Sequence, residues 1–270
     1  HQGEVPLLQL RGRDVDHLRK KHRGTETQRA AGNFLAAFSF GPLTLSTMER
    51  STIIVAGGSG KRMASPVPKQ FMLVKGKPVL CHVISAFHLY DPAMQIIVVL
   101  PKEQIDSWRV LCIGHGFTID HTVVAGGEER FHSVREGLKE VAHDGLVAVH
   151  DGVRPLVSLG LIERCFAAAE LHDAAIPVVP VSSSMRELTD EGSRALDRSR
   201  LRIVQTPQCF QVELLRKAFK LPYDPAFTDE ATLVERMGNL VRLVEGDERN
   251  IKVTTPDDLV IAAALLEEGR

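Results

Sequence analysis

Residues 51–71 read STIIVAGGSGKRMASPVPKQF, an apolar run that ends in glycines and is followed by three cations. The β-branched run at 52–55 predicts a buried strand. Glycines after a strand let backbone N–H groups turn toward an anion, and Lys61, Arg62 and Lys69 lie close enough in sequence to neutralise it. The stretch therefore predicts a phosphate-binding loop. The alternative is an ordinary strand-to-helix turn with solvated cations, among which Lys61 points into solvent.

Two familiar phosphate loops do not fit this stretch. A Walker A loop requires Gly-Lys followed by Ser or Thr, whereas Arg62 follows here, and Val55 occupies the position of its first glycine. A dinucleotide fingerprint requires Gly or Ala where Met63 stands. The loop therefore belongs to another class of phosphate-binding protein.

The segments that follow alternate between strand-like and helix-like patterns. They include PVLCHVISAFHLY, QIIVVL, RFHSVREGLKEV, LVAVHDGVRP, LGLIERCFAAAELH and AAIPVVPV. Strands apolar on both faces, alternating with helices, predict an α/β fold with three α/β/α layers and a mainly parallel twisted sheet. Ligands bind beyond the carboxyl ends of such strands, which selects residues 57–62, 126–130 and 150–154.

The pattern breaks at about residues 182–205. A turn at Asp190-Glu191-Gly192 separates two short strand-like pieces, which predicts a protruding β-hairpin arm. A hairpin alone is marginally stable in water, so the arm should pack on a second subunit. We therefore expect a homodimer formed through this arm.

Composition excludes several classes of protein. The 270 residues carry a formal net charge of -1, which argues against a protein that coats nucleic acid. Charged residues, histidine or proline interrupt every apolar run, so we expect no membrane span. The four cysteines, far apart and without C-x-x-C spacing, predict reduced thiols in a cytoplasmic protein.

Residues 1–47 differ from the rest in carrying mixed charges and weak hydrophobic periodicity. Arginine is frequent, as in an organellar transit peptide, but the acidic residues are out of place in one. We expect an extension that is poorly ordered or non-native, with Met48 as the native start. The single domain then spans residues 48–270.

Seven motifs in order resemble the 2-C-methyl-D-erythritol 4-phosphate cytidylyltransferase family, over about residues 52–266. They are AGGSGKRM, PKQF, AGGEERFHSV, VHDGVRP, TPQCF, TDEATLVE and VEGDERNIKVTTPDDL. The resemblance implies a nucleotidyltransferase of isoprenoid biosynthesis that transfers CMP from CTP to the polyol phosphate and releases pyrophosphate. The attacking phosphate is already anionic, so such chemistry needs cations and a metal rather than a side-chain base.

The resemblance also assigns roles to individual residues. The implied catalytic residues are Arg62, Lys69 and Lys252. The implied CTP-binding residues are Ala56, Gly57, Gly58, Gly60, Gly127, Glu128, Ser133, Asp151 and Gly152. The implied polyol-phosphate-binding residues are Asp151, Arg154, Ser184, Arg198, Thr228 and Lys252. Asp151 is also the implied ligand of Mg²⁺, and Arg198 is expected to reach the neighbouring subunit's site.

Some of these residues have simpler explanations. Asp151 could cap a turn, Thr228 could cap the next helix, Arg154 could be structural, and Lys252 could be a solvated lysine at a strand end. Glu129 could belong to a charged helix start.

Three positions depart from the family pattern or soften it. Glu128 and Ser184 replace the more usual Asp and Thr, and Ser183 stands where Asp is common. Ribitol 5-phosphate is the alternative substrate, because an enzyme for it would share the fold and triphosphate site and differ around Ser184, Arg198 and Thr228. A non-catalytic nucleotide-binding module is the alternative from another class; the presence of Arg62, Lys69, Asp151 and Lys252 argues against it.

Overall fold

The computed structural model describes residues 48–58 and 67–268. Over these residues the strands are β1 (Arg50–Val55), β2 (Leu73–Val74), β3 (Lys77–Pro78), β4 (Gln95–Leu100), β5 (Thr122–Ala125), β6 (Leu146–Asp151), β7 (Ala174–Pro180), β8 (Met185–Thr189), β9 (Gly192–Leu196), β10 (Arg202–Val204), β11 (Gln208–Gln211) and β12 (Arg242–Glu245). The α-helices are α1 (Val79–Tyr90), α2 (Ile105–Gly114), α3 (Arg130–Lys139), α4 (Leu159–His172), α5 (Val212–Ala218), α6 (Glu230–Arg236) and α7 (Pro256–Glu268).

The main sheet has the strand order β10-β7-β11-β6-β1-β4-β5, with β12 also paired to β7. Strands β6, β1, β4 and β5 are parallel neighbours, whereas β11 runs antiparallel to β6 and β7. The parallel strands place their carboxyl ends at one edge of the sheet. That edge carries the loops selected from the sequence.

An apolar core lies on each face of the sheet, between the strands and the helices that cover that face. Along β1, Ile54 faces the core shared with α1, α2 and α4, whereas Ile53 faces the core shared with α3, α5 and α6. This alternation follows from the two-residue period of a strand and explains why Ile53 and Ile54, on opposite faces of β1, are both apolar and buried. The predicted three-layer α/β/α architecture is confirmed.

The C-terminal helix α7 packs on a third, smaller core that includes Val153 and Val253. Thr255 immediately precedes the helix, and Pro256 is its first residue. Asp258, in the first turn, accepts hydrogen bonds from the backbone N–H groups of Thr254 and Thr255 at 2.7 Å each. This arrangement resembles one half of a capping box and fixes where the chain turns into α7.

The hairpin of β8 and β9 forms a separate two-stranded sheet, as predicted. Its residues are mostly exposed, and 86% of Leu188 is accessible to solvent. The predicted arm boundary at 205 is too wide, because β10 leaves the hairpin and pairs with β7 of the main sheet. A strand of three residues has too little pattern of its own to reveal that pairing.

All four cysteines are free, in agreement with the predicted reduced thiols. Among the residues that the structure describes, no helix is long and apolar enough to cross a membrane.

Candidate active site

Three loops meet at the carboxyl edge of the parallel strands. Ala56, after β1, donates its N–H to Val99 of β4, and Gly126, after β5, donates to Leu100 at the end of β4. Gly152, after β6, donates to the carbonyl of Val55 at 2.8 Å. These bonds continue the sheet beyond its strands and fix the loops side by side.

Close packing explains one glycine of this edge. A β-carbon on Gly152 would lie 2.8 Å from the β-carbon of Ala56 and 3.2 Å from the oxygen of Val55. No side chain fits in that space, so the chain after β6 can pass close to the chain after β1 only with glycine here.

Lys69 lies over the glycine loop. A β-carbon on Gly58 would be 3.1 Å from Lys69 Cε and 3.4 Å from its Nζ, so the ammonium group is beside the loop backbone. Lys69 begins a short 3-10 turn, Lys69–Phe71, whose Phe71 ring stacks on the buried Trp108. The stacked ring holds this 3-10 turn against α2, and the position of the turn determines where Lys69 lies.

Gly60 and Arg62, predicted to bind the triphosphate and to act in catalysis, lie outside the described residues. So does Lys61, for which a solvated position was expected.

An open cleft of about 440 Å³ lies next to the loop between β5 and α3. It is lined by Ala125, Gly126, Gly127, Glu128, His132, Arg135 and Glu136. Ser133, buried on α3, has its hydroxyl 3.4 Å from the Gly127 carbonyl. Of the three residues predicted to contact cytosine and ribose, Gly127 and Glu128 line this cleft, whereas Ser133 lies buried behind Gly127.

Asp151 ends β6 and is surrounded by cations. Its Oδ2 lies 3.0 Å from Lys252 Nζ and 3.3 Å from Arg154 Nε, and its Oδ1 lies 3.8 Å from Arg130 Nε. Burial alone would raise the pKa of Asp151, but the three cations outweigh burial and hold the pKa below its usual range. Asp151 is therefore a carboxylate at any physiological pH.

Lys252 and Arg154 reach Asp151 from different parts of the chain. Arg154 is buried, and its guanidinium also donates to the Asn250 carbonyl at 2.8 Å. This bond fixes the segment that carries Lys252, whose side chain remains 42% exposed. The geometry favours the structural interpretation of Arg154, whereas Lys252 has a partly exposed side chain that is paired with Asp151 and is not a merely solvated lysine.

His150 is fully buried next to Asp151, and burial lowers its pKa to about 3. Its Nε2–H donates to the Arg154 carbonyl, and its Nδ1 pairs with the Thr206 hydroxyl. The same hydroxyl accepts the backbone N–H of Asp151 at 3.1 Å. His150 is thus a neutral residue that fixes the end of β6, and both of its ring nitrogens are engaged.

Thr228 is exposed, two residues before α6. It is not the cap of that helix: Asp229 is the N-cap, and its carboxylate accepts the Thr232 N–H. The capping explanation for Thr228 is therefore wrong. Both Asp and Thr accept backbone N–H bonds at a helix N-cap, and Thr228 and Asp229 are adjacent, so residue type alone did not decide between them.

Ser184 and Arg198 belong to the exposed hairpin region. Arg198 donates to the Ser182 carbonyl at the base of the hairpin. In the described part of this chain, no ion pair or hydrogen bond joins either residue to the cluster around Asp151.

Sequence reasoning missed two charged residues of the site, Arg130 and Glu230. Arg130 is the first residue of α3, where the helix dipole disfavours a cation. That mismatch was the available signal, because a cation in such a place needs an acid to hold it. Glu230, the first residue of α6, supplies the acid through an ion pair with Arg130.

Comparison with known proteins agrees with this geometry. A sequence model of the family "2-C-methyl-D-erythritol 4-phosphate cytidylyltransferase" matches residues 51–268. The protein of that name from Bacteroides thetaiotaomicron is 55% identical over 219 residues, which are 81% of this chain and all of that protein. Its namesake from Bacillus velezensis is 41% identical over 226 residues, covering 82% of this chain and 97% of that one.

Solved structures lead to the same family. The crystal structure of 2-C-methyl-D-erythritol 4-phosphate cytidylyltransferase from Thermus thermophilus has a TM-score of 0.65 and 34% identity, and covers 82% of this chain and all of that one. The 4-diphosphocytidyl-2C-methyl-D-erythritol synthase of Anaerococcus prevotii has a TM-score of 0.69 and 27% identity, covering 82% of this chain and 96% of that one.

Proposed function

This chain belongs to the 2-C-methyl-D-erythritol 4-phosphate cytidylyltransferase family, and we propose that it transfers CMP from CTP to that polyol phosphate, releasing pyrophosphate. Membership confirms the predicted enzyme class, a nucleotidyltransferase of isoprenoid biosynthesis with CTP as co-substrate. The observation that carries the proposal is the pairing of Asp151 with the accessible Lys252 at the same sheet edge as the glycine loop and Lys69.

We assign the nucleotide to the two loops at this edge. Ala56, Gly57, Gly58 and Gly60 would receive the triphosphate through backbone N–H groups, with Gly152 giving the room for close approach. The cleft at Gly127 and Glu128 would hold cytosine and ribose, since the exposed Glu128 carboxylate and the loop backbone supply hydrogen-bond partners; the buried Ser133, bonded to the Gly127 carbonyl, would reach them only if that bond opened.

Three cations are assigned to catalysis: Arg62, Lys69 and Lys252. Charge builds on the α-phosphorus and on the departing pyrophosphate, and fixed cations lower the barrier by stabilising that charge. Lys69 lies beside the proposed triphosphate loop, so it would stabilise the negative charge that develops on the departing pyrophosphate. Lys252, held by Asp151, would orient the polyol phosphate and stabilise the pentavalent phosphorus.

Asp151 fits the role of a magnesium ligand. Its Oδ2 pairs with Lys252 and Arg154, while Oδ1, as far as the described residues show, faces only the more distant Arg130 guanidinium. No group of three or more metal-ligating side chains occurs among the described residues, which suits an ion that takes most of its ligands from phosphates and water. Bound there, Mg²⁺ would neutralise phosphate charge during the transfer.

The polyol phosphate is assigned to Lys252, Thr228, Ser184 and Arg198, with Asp151 orienting it and Arg154 fixing both Asp151 and Lys252. Because Ser184 and Arg198 lie on the exposed hairpin, we propose a homodimer in which each arm completes the partner's site. The exposed Met185, Leu188 and Ile203 supply apolar surface for such contact.

We further propose that residues 48–270 form the catalytic domain and that residues 1–47 take no part in the chemistry. The family match begins at residue 51, which supports this division. Cytoplasmic location stays a prediction from cysteine usage.

The direct test measures pyrophosphate release from CTP with methylerythritol phosphate and with ribitol 5-phosphate side by side. We expect release with the first substrate only, and expect chelation of Mg²⁺ to stop it. Turnover with ribitol phosphate alone would overturn the substrate assignment, and an undiminished rate after chelation would overturn the metal assignment.

The shared site has a test of its own, in which the inactive variants Arg198→Ala and Lys252→Ala are mixed. In a mixed dimer, the subunit with Lys252 receives an intact partner arm, so one of its two sites works. Random exchange should then restore about a quarter of wild-type activity. Complete inactivity of the mixture, with mixed dimers present by mass spectrometry, would mean that the arm serves its own subunit.

A further inference from the structure

Arg130 and Glu230 form an ion pair that the proposed chemistry does not yet use. They lie 100 residues apart in the sequence and are the first residues of α3 and α6. Helix α3 starts directly after the loop at the nucleotide cleft, and α6 starts two residues after Thr228. The pair therefore joins the nucleotide side of the site to the polyol-phosphate side.

Hydrogen bonds to β11 hold the start of α6 in place. Gln208 of β11 donates to the Asp229 carboxylate at 2.9 Å and accepts the Ala231 N–H at 3.1 Å. Asp229 in turn accepts the Thr232 N–H. Glu230 thus projects from a helix start that two hydrogen bonds hold against β11 and a third closes on itself, which makes it a firm anchor for Arg130.

Glu230 is almost fully buried, and burial raises the pKa of its carboxyl group although Arg130 acts against this. Its Oε1 pairs with Arg130 Nη1, and its Oε2 has no hydrogen-bond partner among the described residues. Keeping a carboxylate in such a place is costly without a cation beside it. Because Glu230 is buried, it does not serve to solvate the protein surface, and the group on which its charge acts is Arg130.

Arg130 also faces Asp151, since its Nε lies 3.8 Å from Asp151 Oδ1. Its side chain is 28% exposed, so it borders the site without being solvated like a surface residue. If Glu230 did not hold it, the guanidinium could close on Oδ1 and form a direct hydrogen bond there. That contact would occupy Oδ1, the oxygen that neither Lys252 nor Arg154 pairs with and that has no hydrogen-bond donor among residues 48–58 and 67–268.

We propose that Glu230 is a positioning residue for the transfer reaction: through Arg130 it keeps Asp151 Oδ1 open and fixes the start of α3 at the nucleotide cleft. This inference rests on the proposed function, because the value of an open Asp151 oxygen depends on phosphate chemistry at that site. Glu230 touches neither substrate, so it is not itself a catalytic residue.

The test compares Glu230→Gln, Arg130→Met and the double variant with the wild type. We expect Glu230→Gln to lower kcat about tenfold or more, because small misplacements of reacting groups have effects of this size. CTP affinity, measured by calorimetry, should weaken several-fold, whereas KM for the polyol phosphate should change less than about twofold. Glu213→Gln, which breaks an exposed pair with Lys217, is the matched control and should behave as wild type.

The double variant separates positioning from folding. Removing both charges leaves no unpaired buried ion, so it should fold even where Glu230→Gln is unstable. If Glu230 acts through Arg130, the double variant should be no less active than Arg130→Met alone. Multiplied losses of kcat in the double variant, wild-type kcat in Glu230→Gln, or recovery of wild-type kcat in the double variant would each overturn the inference.

Failure of the proposed function would look different. In that case the wild type would not transfer CMP to methylerythritol phosphate at all. The CTP affinities of the four proteins would still test the inference: non-additive weakening supports it, and equal affinities contradict it.

Discussion

The cluster around Asp151 gives the most demanding prediction, for the variant Asp151→Asn. Asparagine keeps the shape of the side chain and removes its charge. Arg154, only 11% exposed in its side chain, then loses its acid and keeps the Asn250 carbonyl. Arg130 keeps Glu230, and Lys252 can turn to solvent because it is 42% exposed. One buried cation is therefore left without a counter-charge.

Removing one partner of a buried ion pair costs about 3–5 kcal/mol of unfolding free energy. We expect the lower end, about 3 kcal/mol, because the uncharged contact of Arg154 remains and because Lys252 contributes little as an exposed partner. For a domain of this size each kcal/mol lowers Tm by about 2–4 °C, which gives a fall of about 6–12 °C. Loss of the proposed metal ligand should also lower kcat by about 10²–10³-fold.

Urea unfolding and thermal scans measure the stability, and pyrophosphate release measures the activity. The matched control is Asp144→Asn, which removes the acid from the exposed pair with Arg216. It should cost less than about 1 kcal/mol and leave activity unchanged. If Asp151→Asn unfolds within about 0.5 kcal/mol of the wild type, with an unchanged m-value, then the carboxylate does not compensate the buried cations and the reasoning fails.

Two further predictions concern the cleft and the C-terminal helix. Gly127→Ala places a β-carbon 2.4 Å from the β-carbon of His132, so the loop must move by about 1 Å and kcat should fall about 10²-fold. The control is Gly160→Ala, whose new β-carbon has its nearest neighbouring atom at 3.6 Å, and it should keep full activity. Asp258→Asn removes the negative charge from the group that accepts two backbone N–H bonds, which weakens both bonds and should cost about 1 kcal/mol in urea unfolding at pH 7. Burial acts to raise the pKa of Asp258, but the hydrogen bonds outweigh burial and lower the pKa in the folded state. The difference in unfolding free energy between variant and wild type should therefore be full above the unfolded-state pKa and vanish as pH falls through the lower folded-state pKa. A difference that grows on acidification would contradict this.

Sequence periodicity was sufficient to predict the central layers. Strand β1 ends in the apolar run Ile53-Ile54-Val55, and a strand that is apolar on both sides suits only a sheet covered on both faces. The pairing of β10 and β11 with β7 was not predictable in this way. Both strands are short, and antiparallel insertion between parallel strands depends on contacts distant in sequence, which a local pattern does not encode.

The site was predictable to the extent that each loop carries its own motif. Asp151, Lys252 and the glycines were identified singly, and the structure brings them to one edge. The ion pair of Arg130 with Glu230 was not identified. The unfavourable place of Arg130 at a helix start indicated that it needs an acid, but Glu230 suits its own helix start, and only the fold shows that the two are in contact.

The charge balance of the site explains why acids are needed in a pocket for anions. The triphosphate and the polyol phosphate are strongly negative, so cations must be present before they arrive. Buried cations without partners are costly, and in the described residues Arg130, Arg154 and Lys252 all approach the acids Asp151 or Glu230. The acids fix the cations in place in advance, so that little reorganisation is required when phosphate oxygens replace part of this pairing. The most exposed of the three, Lys252, is therefore the one suited to change partners, whereas Arg154, held on both sides, is suited to stay.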